Sequence, residues 1–197
     1  MLKMMETNGS KGVDLGGTLL KLGNFKQRMG ACEEAKNAFA RAASIFLEAG
    51  AEREWAIARG SVADILQARG QLDEALALHE KRLPVAENMK DMDSIAHINF
   101  AMARLQLMRG DHESGKMQSI FEKLHQAFGL SLELGRPDFI GDIGTLLAQV
   151  LAMVGHPKEA LAVLDHAERA FQVLGDADGA AHVAELRARI EKRVDES

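Results

Sequence analysis

Apolar and polar residues alternate along this chain with the period of helices, and the pattern repeats itself. Glycine recurs at Gly30, Gly70, Gly110 and Gly155, in steps of 40, 40 and 45 residues. Each follows a helical stretch: 19–29, 56–69, 96–109 and 141–154. Each is followed by another: EEAKNAFARAASIF, DEALALHEKRL, the longer MQSIFEKLHQAFGLSLEL, and KEALAVLDHAERAF. A second set of boundaries falls at Gly50, Lys90, Gly135 and Gly175. The spacing predicts a unit of two helices of nearly five turns each, joined by short turns.

The aligned columns carry physical content. Seven residues before each boundary glycine sits a small residue: Gly23, Ala63, Ala103 and Ala148. One place earlier sits a larger apolar one: Leu22, Val62, Met102 and Leu147. Five residues after the boundary come Ala35, Ala75 and Ala160, and the next Ala on that face follows seven further on in three units, at Ala42, Ala167 and, allowing for the insertion in the third repeat, Ala127. Small residues at fixed places let two helix backbones approach, and larger ones fill the adjacent hole. One such hairpin cannot bury its own face, so the units must stack. Asp93, Asp138 and Asp178 share a column just before the first helix of a unit, where an aspartate can serve as N-cap. Pro137 and Pro157 sit near helix starts, and Pro84 falls inside a helix that it should kink.

This spacing resembles that of the tetratricopeptide (TPR) repeat family, in its longer-helix subtype of about 40 residues found in bacterial regulators and scaffolding proteins. The lines GQLDEALALHEKRL and GHPKEALAVLDHAERAF are similar to the family's second helix. The likeness covers roughly residues 15–193. Departures stand at the family's aromatic position, held by Leu19, Arg59, Asn99 and Gly144, and at its last small column, where Arg82 stands. The third repeat carries about five extra residues around 113–117. The implied fold is an all-α, right-handed superhelical solenoid of helix-turn-helix repeats. Residues 1–11 form a disordered leader. Residues 12–197 form a single domain, with repeats at about 12–50, 51–90, 91–135 and 136–175 and a C-terminal helix over 177–193.

Composition narrows the function. Of 197 residues, 24 are Lys or Arg and 29 are Asp or Glu, a formal net charge of −5. Hydrophobic residues make up 47% and aromatics only 5%, so the apolar content is mostly small and aliphatic. An acidic chain poor in aromatics is a poor partner for nucleic acid. A single cysteine, Cys32, excludes a disulfide framework and reads as a small packing residue. No stretch has the length of a membrane span or the composition of a secretory leader, which places the chain in the cytoplasm.

Candidate chemistry is thin. The run 110–116, GDHESGK, spells G-x-x-x-x-G-K, but Met117 replaces the hydroxyl residue of a phosphate loop and a helix, not a strand, precedes it. Glu33-Glu34, Asp73-Glu74 and Lys158-Glu159 recur at the first turn of each second helix, where acids complement the helix dipole. The seven histidines show no metal-ligand spacing. No catalytic constellation, metal site or cofactor is expected. Trp55 reads as packing at a helix entry rather than as a binding anchor.

What the family resemblance implies is a concave groove lined by the first helix of each pair. Carried onto this chain, the groove becomes Asn24 and Gln27; Asp64 and Gln67; His97, Phe100 and Arg104; Asp142 and Gln149. The positions of the family's carboxylate clamp hold Leu20, Asn24, Ser61, His97 and Ala101, so that clamp is not expected. The expected function is a non-enzymatic protein-protein interaction module, an adaptor or scaffold gripping a peptide or partner protein in the groove. The alternatives are a regulatory sensor responding to a small peptide or metabolite, and a self-associating scaffold. In the last, the C-terminal helix with Val183, Leu186 and Ile190 either caps the last repeat or docks a second copy as a homodimer.

Overall fold

The computed structural model describes residues 2–113 and 115–195, with side chains over 11–113 and 115–194. Among the described residues there are nine α-helices and no strands. The chain divides into two compact units, Met1–Asp91 and Met92–Ser197.

The first unit holds α1 (Leu2–Arg28), α2 (Cys32–Glu48), α3 (Glu52–Ala68) and α4 (Leu72–Asn88). Each packs against the next in the chain. Helix α1 begins at Leu2, inside the segment read from sequence as a disordered leader. The column residues do the packing. Ala35, Ala42, Ala63 and Ala75 are fully buried, as are Phe39 and Phe46 of α2. The two rings lie where α1 has no side chain. A Cβ on Gly16 would stand 2.6 Å from the Phe46 ring, and one on Gly23 would stand 2.5 Å from the Phe39 ring. Both distances are far inside van der Waals contact, so glycine at these places is what lets the rings seat. Trp55 packs against the cluster of Leu19, Ala42, Phe46 and Ala58 at the entry to α3, as expected, with the Arg59 guanidinium 5.9 Å from its ring centroid.

Arg82, in the column where other units carry alanine, is buried in this unit. Its Nη1 donates to Nδ1 of His79 at 2.9 Å. Desolvation pulls the guanidinium pKa down, and the nearby Asp64 carboxylate opposes that. Gly60 on α3 makes the room: a Cβ there would meet Arg82 Nη2 at 2.7 Å. A large residue in a small column is thus matched by a glycine opposite. Pro84 lies inside α4, which runs unbroken from Leu72 to Asn88.

The turns repeat one geometry. After α1, Gly30 sits at φ 75°, the Gly30 N–H donates to the Gln27 carbonyl at 3.0 Å, and the Ala31 N–H donates to the Lys26 carbonyl at 2.9 Å. This closes the orphan carbonyls of the helix end with a residue in the left-handed region. Lys90 holds the same seat after α4, at φ 54°, with the equivalent bonds to Glu87 and Ala86. Among the described residues it is the one non-glycine with positive φ.

The second unit holds α5 (Met92–Met108), α6 (Met117–Leu134), α7 (Pro137–Met153), α8 (Pro157–Leu174) and α9 (Ala177–Asp195). Here too each helix packs against the next, and α9 also touches α7. The core runs from Ala103, Ile120 and Leu124 through Ile143, Leu147 and Leu164 to Val183, Leu186 and Ile190. The apolar stripe of α9 is therefore spent as a cap on this unit, and it is not free to dock a second copy. Phe171 of α8 repeats the ring-on-glycine device on both sides, against Gly141 of α7 and Gly179 of α9.

Two local expectations are corrected. Asp93, Asp138 and Asp178 are not N-caps: each is the second residue of its helix, inside the first turn. Asp176 takes the capping role for α9, its Oδ1 accepting from the Gly179 N–H at 2.9 Å. Asp138 and Asp93 instead share the Arg136 guanidinium, which holds the Asp138 pKa below its usual value. Cys32 opens α2 and is exposed rather than packed.

Candidate functional site

The insertion in the third repeat gives an eight-residue connection, 109–116, in place of the two- and three-residue turns elsewhere. It is organised around Asp111, which is buried. The Arg109 side chain donates to its two carboxylate oxygens at 2.9 and 2.5 Å, and Lys116 Nζ lies 3.7 Å away. The Arg109 hydrogen bond pulls the Asp111 pKa down. Lys116, the lysine of the G-x-x-x-x-G-K string, is thus engaged with a carboxylate of its own loop.

An open cleft of about 340 Å³ lies within the second unit. Phe100 and Arg104 come from α5, one turn apart, and the guanidinium sits over the Phe100 ring 5.5 Å from its centroid. Asp142, Thr145, Leu146 and Gln149 come from α7. Phe171, Asp176, Gly179 and His182 close the far side from α8, the turn and α9. Spacing of three and four residues along α5 and α7 is what turns these side chains onto one face. The floor is apolar, from Phe100, Leu146 and Phe171, and the rim is charged with both signs. Thr145 is buried and spends its hydroxyl on the Gly141 carbonyl at 2.7 Å. Partial burial pushes the Asp142 pKa up. Arg104 opposes this, while Asp176 and Asp138 add to it.

Of the nine residues read from sequence as groove-lining, the cleft brings together Phe100, Arg104, Asp142 and Gln149. His97, one turn ahead of Phe100, belongs to a neighbouring cluster: its ring centroid is 6.1 Å from that of Phe139, and Arg136 lies 4.5 Å over the other ring. Asn24 and Gln27 lie exposed on α1 of the first unit, Asp64 is exposed on α3, and Gln67 is half-buried there. None of these four lines the cleft. Sequence reasoning missed Phe171 and Asp176. The signal for Asp176 was present as an aspartate three residues ahead of Gly179, a capping pattern at the start of α9. Phe171 gave no such signal, because its position in the cleft depends on glycines of two other helices.

Among the described residues no group of three or more His, Cys, Asp or Glu side chains could hold a metal ion. No helix among them is long and apolar enough to cross a membrane. What the cleft offers is shape, an aromatic surface and charges of both signs.

Comparison with known proteins fixes the architecture. Residues 14–88 match the tetratricopeptide repeat family model. They are tetratricopeptide repeats. The same fold extends over the rest of the chain in solved structures of low sequence identity. Aspartyl phosphate phosphatase F from Bacillus subtilis superposes with a TM-score of 0.77 at 13% identity, over 99% of this chain and 51% of that one. The Rap conjugation gene regulator of plasmid pLS20, solved in complex with the Phr* peptide, gives 0.73 at 16%, over 91% and 48%. A Podosopora anserina putative kinesin light chain with nearly identical TPR-like repeats gives 0.60 at 18%, over 94% and 99%. The chain spans about half the length of the first two. No curated protein matches its sequence. The fold is therefore an all-α helical-repeat solenoid of the TPR kind.

Proposed function

We propose that this TPR chain is a non-enzymatic interaction module that grips a peptide or partner-protein segment in the cleft between α5, α7 and α9. The observation that carries the reading is the Phe100–Arg104 pair facing Asp142 and Asp176 across an open, apolar-floored cleft. An aromatic and an arginine side by side are the residue types that dominate binding energy at protein interfaces. The carboxylates opposite supply a second charge that fixes the direction of a bound segment. TPR repeats serve generally as binding scaffolds rather than as enzymes, in keeping with a cleft of this make-up.

The test is affinity capture from native cell extract, read by mass spectrometry, with wild type compared with Phe100→Ala and Arg104→Ala. Loss of the same captured protein in both variants, with helicity unchanged, supports the cleft. Equal capture by all three sinks it. A second reading, a sensor whose repeat stack changes shape on binding a small peptide, is favoured by the likeness to a regulator solved with a peptide. A ligand-dependent change in solution scattering would distinguish it from a rigid adaptor. We further assign the chain to the cytoplasm, on the composition of its sequence. We also assign it no carboxylate clamp: an acidic C-terminal peptide titrated by calorimetry should show no micromolar binding.

A further inference from the structure

Helix α1 shows solvent a stripe that later helices hide. Leu15, Leu22, Phe25 and Met29 are 52%, 44%, 58% and 68% exposed. At 3.6 residues per turn they fall within an arc of about 80° on the helix. The equivalents of Leu22 and Phe25 in α3 are Val62 and Ile65, 7% and 2% exposed. In α7 they are Leu147 and Val150, each 1% exposed. Helix α3 packs against α2, and α7 packs against α6. The columns that those helices bury are thus apolar and open on α1.

The last helix is built differently. It turns Val183, Leu186 and Ile190 inward and shows Glu185, Arg189 and Glu191 to solvent. Head-to-tail stacking of two copies would set the apolar stripe against those charges. The stripe finds its match in itself. We propose that α1 is a self-docking surface, on which two copies of this chain pair their α1 helices antiparallel about a two-fold axis near Leu22. That register sets Leu22 against Leu22 and Leu15 against Met29 of the second copy. It also brings Asp14 to Arg28 of the second copy, since both are exposed and flank the same edge of the stripe. Lys26, on the other edge, is held within its own chain by Glu34 at 2.6 Å. An isologous pairing closes on itself and leaves no free stripe. It uses no residue of the α5–α7–α9 cleft, so the two proposals stand or fall separately.

The test is sedimentation equilibrium of the 197-residue chain. The expected mass is twice the 21.4 kDa of one copy. Leu22→Glu and Phe25→Glu, at sites exposed in the single chain, should raise the dimer dissociation constant by at least about tenfold with unchanged helicity. Asp14→Lys should weaken pairing, and adding Arg28→Glu should restore it. In a Cys32→Ser background, Leu22→Cys should form a disulfide-linked dimer on mild oxidation. A monomer at all concentrations, or a dimer indifferent to Leu22→Glu and Phe25→Glu, overturns the proposal.

Discussion

Two glycines six residues apart on α1 should respond to alanine with opposite signs. At Gly23 an added Cβ would lie 2.5, 2.6 and 2.8 Å from three atoms of the Phe39 ring. Relaxed carbon contacts need about 3.5–4.0 Å, so the ring must move by roughly 1 Å. Phe39 is fully buried and has nowhere to go. Overpacking of this kind costs about 1–3 kcal/mol. Alanine's helix preference over glycine returns about 1 kcal/mol. The net expectation for Gly23→Ala is a loss of roughly 1 kcal/mol. At Gly17 a Cβ meets nothing within 4 Å. There the helix preference acts alone, and Gly17→Ala should gain about 0.5–1 kcal/mol. Urea unfolding followed by far-ultraviolet circular dichroism reads both. Phe39→Leu combined with Gly23→Ala should be better tolerated than the sum of the two changes, because the smaller side chain vacates the clash. If Gly23→Ala stabilises as much as Gly17→Ala does, the ring-on-glycine contact is not what holds α1 to α2.

Other expectations follow from the polar groups. Arg82→Ala should cost about 2–4 kcal/mol from lost buried packing, while Arg82→Met should stay within about 1 kcal/mol of wild type, both by urea unfolding. The folded-state pKa of Asp111 is depressed, so its contribution is present above the ordinary carboxylate value of 3.8 and is lost as pH falls through the lower folded value. Asp111→Asn should therefore be less stable than wild type at neutral pH and converge with it in acid, as seen by thermal melts across pH. Asp142 is shifted the other way, and its ionisation opposes folding as pH rises above 3.8. Asp142→Asn should melt higher than wild type at neutral pH yet capture the partner less well, the usual trade at a site kept for binding. Ile190→Ala should lower the stability of the second unit by about 2–4 kcal/mol, since it opens a cavity under the α9 cap.

The repeat was legible because its cause is local. A residue in the left-handed region is needed where each helix stops, and glycine marks most of those places in the letters themselves. The alanine columns were legible for the same reason, being periodic. Pairings that cross between helices were not. Nothing near Phe39 in sequence announces Gly23, and nothing near Arg82 announces Gly60, the glycine that makes its room. The aspartate column was located correctly and given the wrong role, because one residue separates a cap from the first turn. In the cleft, the residues from α5 and α7 are ones that the family resemblance implied for the first helix of a pair. The closing wall of Phe171 and Asp176 depends on how α8 and α9 meet, which no short window of sequence encodes.

Lys90 has a thermal consequence. A lysine in the left-handed seat costs on the order of 1 kcal/mol that glycine would not. The chain spends that cost at residue 90, next to the division between its two units at 91 and 92. Cooperative folding units often coincide with packed groups of neighbouring helices such as these. A scanning calorimeter should then record two overlapping transitions rather than one, and Lys90→Gly should raise that of the first unit, whose last helix it closes.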